Sequence, residues 1–301
     1  MVRQFDYLHA GDELPLYCVC ARNTATASEN KIHDDSVARQ YGFSGGLVPG
    51  VVVYAYMTVP LVATLGLDWL ERGGIKVRFQ QPVYDGEETI VRAKVTEASA
   101  PLEIAVSAER ADGTICATGT ATLPDLNSYR QPPVIEDYPL HPLPEDSQRP
   151  PASREILVPG SLLGSIDATS ELQLAAETLL KEIDERLPIY YGPDRTAHPA
   201  SMLSLANQIL MRNVRLGPWI HTASEVNNWS VARCGEMLSL RGHVADCFER
   251  KGHEFVVLDL LLVADQTRPV QHIKHTAIYR PRSNLNPLLT TPIIKASLDK
   301  V

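Results

Sequence analysis

One short segment, Glu29-Asn30-Lys31-Ile32-His33-Asp34-Asp35, places an imidazole beside an amide and three carboxylates. A histidine can take up and release a proton near neutral pH, and a neighbouring amide or carboxylate can hold its ring in place. A plainer reading competes with this. His33 can be a loop histidine, Asn30 an ordinary turn residue, Asp34 solvated surface, and Asp35 the N-cap of a short helix over Ser36 to Tyr41. Further on, Gly42-Phe43-Ser44-Gly45-Gly46 is a glycine-rich turn, and Pro49-Gly50 opens a run from Val51 to Leu65 that is apolar on nearly every face. Such a helix is a buried one. Its first turn leaves N–H groups without acceptors at the positive end of the helix dipole. A glycine there lets a ligand come close to the backbone. Gly45 and Gly46 read as turn and packing glycines.

The surrounding pattern must position these groups. After Gly73-Gly74 the period changes to strict alternation in Ile75-Lys76-Val77-Arg78-Phe79. Thr89 to Thr96, Leu102 to Ala108 and Thr114 to Leu123 continue as strands, with an Asp112-Gly113 hairpin. The first half is thus one buried helix followed by antiparallel strands. Prolines crowd the next stretch (132, 133, 139, 142, 144, 150 and 151), which reads as a linker or an arm across the surface. The second half repeats the order. Helical stretches at Ser170 to Leu187 and Ser201 to Val214 precede strand-like runs at His221 to Trp229, Met237 to Val244, Glu254 to Val263 and Val270 to Tyr279. Aligning Gly86 with Gly235 gives an offset of 149 residues, which sets Pro49-Gly50 opposite His198-Pro199 and Phe79 opposite Asn228. The expected organisation is a first unit over 1–125, a proline-rich linker over 126–159 and a second unit over 160–301.

Asn30, Ile32, His33, Asp35, Ala38, Gly42-Phe43 and Gly50 lie at the spacings of the hydratase motif of MaoC-like proteins and R-specific enoyl-CoA hydratases, which this segment resembles. The resemblance implies an α+β double hotdog, two antiparallel sheets each wrapped round a central buried helix. It implies a hydratase or dehydratase, a lyase, acting on an enoyl or 3-hydroxyacyl thioester of coenzyme A or an acyl carrier. In that chemistry one group activates water, another protonates the α-carbon, and donors hold the thioester oxygen as it gains charge. The resemblance assigns His33 to proton transfer, Asn30 to orientation and the Gly50 N–H to the oxygen. It also implies no cofactor beyond the coenzyme A of the substrate. Three positions depart from the motif. Ser28 stands where the family has its catalytic Asp, Lys31 replaces a Pro, and Pro49 replaces the His before the helix. Serine cannot act as a carboxylate base, so Glu29, Asp34 or Asp35 would have to supply the charge. Two alternatives follow: a non-catalytic acyl-thioester-binding protein, and a hotdog thioesterase in which Glu29 or Asp34 matters.

The second half lacks an Asn-x-x-His before its helix. Pro199, opposite Gly50, has no N–H to donate. His198 is expected to pack or hydrogen-bond locally rather than line an acyl tunnel. Arg72, Lys76, Arg78, Arg212, Arg215 and Arg233 could hold coenzyme A phosphates, but a solvated face is the default reading. The net charge of −8 and pI near 5.6 argue against a nucleic-acid partner. Five scattered cysteines suggest reduced thiols in a cytoplasmic protein, with Cys18 and Cys20 sharing a buried strand face. No membrane partner is expected, and the chain reads as a monomer or a homodimer.

Overall fold

The computed structural model describes residues 5, 7–126, 128, 130–169, 179–233 and 235–282. Strand β1 (Tyr17–Cys20) is followed by the short helix α1 (Asp35–Gln40) and the long helix α2 (Gly50–Arg72). Strands β2 (Gly74–Phe79), β3 (Glu88–Glu97), β4 (Leu102–Arg110) and β5 (Ile115–Leu123) complete the first half. After β6 (Leu162–Asp167) come α3 (Pro199–Asn213), β7 (Ile220–Asn228), β8 (Leu238–Arg250), β9 (His253–Ala264) and β10 (Arg268–Arg280). Residues 179–182 are helical; the rest of the expected helix up to that point, 170–178, lies outside the described residues.

The ten strands form one antiparallel sheet in the order β1-β3-β4-β5-β2-β7-β10-β9-β8-β6. The second five repeat the first five in mirror order, so the two sheets join edge to edge through β2 and β7. Their register carries the symmetry. Gly74 pairs with Asn227 and Arg78 with Ala223, and a shift of 149 residues converts one pair into the other. Lys76 opposite Glu225 lies at the centre, where the two side chains form an ion pair at 3.2 Å. Helices α2 and α3 start at Gly50 and Pro199, the same offset apart.

α2 runs past the expected end at Leu65. It contains Pro60 and changes direction at Gly66, whose φ of 58° suits glycine. By length and composition alone it could cross a membrane, but most of it is buried inside the protein. Tyr54, Ala55, Tyr56, Met57, Leu61 and Trp69 are fully buried, and α2 packs against the strands of the first half and β7. β3 alternates buried and open positions along its length, as a sheet with one packed face requires.

Two local expectations are corrected. Cys18 and Cys20 are exposed, because the inner face of the edge strand β1 carries Tyr17 and Val19 instead. Asp34, not Asp35, caps α1. Its backbone is extended (φ −91°, ψ 132°) and its carboxylate accepts from the Ser36 and Val37 N–H groups. The proline-rich segment is an arm laid on the outside of the second half. Tyr138 packs with Ile135, Leu261 and Val263 and donates its hydroxyl to Asp259 at 2.8 Å.

Trp69 is fully buried where α2 meets β2, and its carbonyl accepts from the Asn228 side chain at 3.0 Å. Trp69→Ala is expected to cost about 3–5 kcal/mol of stability, read as a lower urea midpoint with unchanged slope. A loss below about 1 kcal/mol would mean that this corner is not part of the packed core.

Candidate active site

His33 sits at the end of a single 3-10 turn, Lys31–His33, and Asn30 caps that turn through its side chain. The His33 ring is fixed at one nitrogen. Nδ1 lies 2.7 Å from the Leu47 carbonyl, which only accepts, so Nδ1 carries the proton and Nε2 is left with its lone pair. Burial lowers the His33 pKa below its ordinary value, and the bond to the Leu47 carbonyl opposes this only partly. The imidazole is therefore neutral and able to act as a base at pH 7. A glycine makes this placement possible, because a Cβ on Gly46 would lie 2.1 Å from the His33 carbonyl oxygen. The Gly46 N–H is held in turn by Asp35 at 2.7 Å.

Asn30 does more than face the histidine. Its amide nitrogen is 3.4 Å from His33 Nε2. Its strongest bonds go to the other half of the molecule: the Trp219 N–H donates to Asn30 Oδ1 at 3.1 Å, and Asn30 Nδ2 donates to the Trp219 carbonyl at 3.0 Å. Asn30 is 4% exposed, so these are bonds in a dry setting. The amide copies the two-way pairing of a β ladder and fixes the segment before β7 against the His33 turn.

Between these parts lies a cavity of about 310 Å³, lined by Asn30, His33 and Gly50 together with Phe79, Trp219 and His221 among others. Its size falls at the small end of the range for ligand pockets. The first bonds inside α2 run from Val52 and Val53 to the Pro49 carbonyl. The Gly50 and Val51 N–H groups thus make no bond inside the helix, and Gly50 lines this space. Three lining residues hold buried polar atoms without a protein partner: Asn207 Oδ1, Trp219 Nε1 and His221 Nδ1. Leaving such an atom unsatisfied costs on the order of 1–3 kcal/mol each.

The structure brings His33, Asn30 and Gly50 together and places Ser28 elsewhere. Ser28 Oγ accepts from the Asn30 N–H at 3.1 Å, while Lys31 Nζ donates to the Ser28 carbonyl at 2.9 Å. Ser28 therefore shapes the loop and is not among the residues lining the cavity. The carboxylates considered as replacements are also engaged elsewhere. Glu29 pairs with Arg149 at 3.5 Å, Asp34 caps α1, and Asp35 holds Gly46 and Arg39. Among the described residues that line the cavity there is no carboxylate. None of the six cationic residues considered for phosphate lines it either. Lys76 pairs with Glu225, Arg72 bonds Asp68, and Arg233 donates to the Asp194 carbonyl.

Sequence reasoning missed Trp219, His221, Ser224 and His275. They lie on or before β7 and on β10, in the other half of the chain, where the pattern marks only strands. A histidine inside an apolar strand was the available signal. His198 in the second half is 1% exposed. Its Nδ1 accepts from the Ala200 N–H at 3.1 Å, and Nε2 lies 3.7 Å from the buried Glu185. It caps α3 and packs against Tyr190.

Two predictions follow from the buried side chains. Asn30→Ala leaves the Trp219 N–H and carbonyl without partners and is expected to cost about 1–3 kcal/mol, measured by urea unfolding; a neutral result would remove the clamp. His198, His221 and His275 all have lowered pKa values, chiefly through burial, with His275 pulled down to about 3. The unfolded chain takes up protons on these rings as the pH falls below 6.5, while the folded chain takes them up only at lower pH. Their stabilisation is therefore complete above 6.5 and is lost on acidification, at up to about 1.4 kcal/mol per pH unit for each ring. Urea midpoints that stay constant from pH 7 to 5 would contradict neutral buried rings.

No family model matches the chain, and no curated protein matches it. Solved structures do. A MaoC domain protein assigned as a dehydratase, from Chloroflexus aurantiacus, superposes with a TM-score of 0.63 at 9% identity over 93% of this chain and 97% of its own. A Mycobacterium tuberculosis protein essential for bacterial survival during infection, with a double hotdog fold, gives 0.60 at 15% identity over 91% and 97%. A MaoC-like dehydratase gives 0.58 at 12% identity over 90% and 98%. The mirrored five-strand halves, each wrapped on one helix, agree with these likenesses. The chain therefore has the double hotdog fold that these proteins share.

Proposed function

We propose that the cavity takes the acyl end of a coenzyme A or acyl-carrier thioester, and that the protein hydrates an enoyl thioester or dehydrates the 3-hydroxyacyl product. The observation that carries this reading is that His33, with its neutral ring, and Gly50, whose N–H makes no bond within α2, line one cavity. In the hydration direction, Nε2 takes a proton from water and the water oxygen bonds the β-carbon. The C=C electron pair moves to the α-carbon and carbonyl oxygen, and the Gly50 N–H supports the charge that gathers there. The His33 imidazolium then returns the proton to the α-carbon, so one water is added across the double bond. A cavity of about 310 Å³ favours a short acyl group. The lack of a carboxylate among the described lining residues favours the second reading, in which the same pocket binds a thioester without turning it over.

Turnover of crotonyl-CoA, followed by loss of the enoyl absorbance, separates the two. Under the first reading the wild type is active, and His33→Ala lowers kcat by about 10²–10⁴. Since the neutral ring is the base and its pKa is lowered, kcat/KM is expected to hold down to pH 6.5 and to fall only below it. Binding of crotonyl-CoA without turnover would leave the binding reading. Activity untouched by His33→Ala would remove His33 from the chemistry.

A further inference from the structure

The imidazole of His221 stands against the N-terminus of α2. A Cβ added to Gly50 would lie 2.9 Å from His221 Nδ1, so the glycine gives this ring its place. His221 is 7% exposed, lines the cavity and stacks edge-on against Phe79 at 4.6 Å between centroids. Its Nδ1 has no protein partner. The other ring nitrogen is tied down. His221 Nε2 is 2.8 Å from Ser224 Oγ, and Ser224 Oγ is 3.2 Å from His275 Nδ1. Ser224 and His275 are 3% and 0% exposed. A strand does not normally put residues three apart on one face. Here the β7–β10 register slips beside Thr222, with His221 opposite Ala277 and Ala223 opposite Thr276. This bulge re-aims His221 to the side of Ser224 and the cavity.

We propose that His221 is a second catalytic residue of this cavity, donating its Nδ1–H to the thioester oxygen beside the Gly50 N–H, with Ser224 and His275 as positioning residues. It rests on the reading of the cavity as a thioester site. The Ser224 hydroxyl has a single proton to give. Given to His221 Nε2, it leaves the His221 proton on Nδ1, and Ser224 Oγ then accepts from His275 Nδ1–H. The buried neutral ring acts as a hydrogen-bond donor and exchanges no proton with the substrate. Two donors then converge on one oxygen in a low-dielectric space, where each acts more strongly than in water. The arrangement also gives a use to an atom that would otherwise be buried unpaired.

The test uses the full chain and two probes. Acetoacetyl-CoA shows an enolate absorbance when donors stabilise its oxygen, whether or not any hydration occurs. Crotonyl-CoA reports turnover. His221→Leu is expected to lose the enolate band and to lower kcat on crotonyl-CoA by about 10²–10³ with KM little changed. His221→Asn, whose amide N–H can stand near Nδ1, is expected to keep the band and most of the rate. Ser224→Ala is expected to weaken the band while leaving binding intact. If His221→Leu does not fold, a folded His221→Asn without the band overturns the proposal. A wild type that shows a His221-dependent band but no turnover supports the donor role and sinks the hydratase reading. Turnover and band both unchanged in His221→Leu overturn the donor role and leave the hydratase reading standing.

Discussion

Everything in this molecule hangs on the antiparallel pairing of β2 with β7. Without it the chain would be two five-stranded sheets, each with a long unpaired edge of backbone donors and acceptors. The pairing closes both edges at once. It also fixes the pseudo-twofold at Lys76 and Glu225, and so decides which part of each half faces the other. The ion pair at that centre is largely exposed and contributes little by itself. The backbone ladder and the apolar side chains beneath it, Ile75 and Val226 among them, hold the junction.

The cavity is a consequence of that junction. β7 begins next to the end of β2, which lies over the start of α2. The segment that leads into β7 is then clamped by the Asn30 amide on the Trp219 backbone. One wall comes from the His33 loop, one from the N-terminus of α2 and one from the opposite half. Burial then does the chemical tuning. It keeps His33 neutral, with Nε2 unprotonated beside the Asn30 amide, and the Leu47 carbonyl settles which nitrogen holds the proton. The same desolvation lowers the pKa values of His221, which lines the cavity, and of His275 behind it, so both rings are neutral rather than charged.

The second half is built differently at the equivalent place. At the place of Gly50 it has Pro199, which starts α3 well but removes an N–H donor. The residue before it, His198, turns its Nδ1 back onto the Ala200 N–H and caps the helix itself. Glu185 and Tyr190 pack against that ring. There the His198 Nδ1 serves the first turn of its own helix, whereas the Gly50 N–H makes no bond within α2 and Gly50 lines a cavity.

The sequence by itself determined the order of elements and the duplication at 149 residues, and its resemblance to the MaoC-like motif singled out Asn30, His33 and Gly50. Those features depend on local rules. Apolar periodicity selects helix or strand, glycine and Asp mark turns and caps, and fixed spacing from the His33 loop to the helix start survives folding. Local rules also miss by one residue, as at the α1 cap, where the extended backbone of Asp34 rather than the residue type chose the acceptor. Tertiary structure alone decided the rest. It turned Cys18 and Cys20 outward, drew Ser28 and the nearby carboxylates away from the cavity, and brought in His221 some 188 residues after His33. The reason is that these outcomes depend on strand pairing across the molecular dyad and on a bulge in β7. Both are set by contacts between distant segments, which no single stretch of sequence contains.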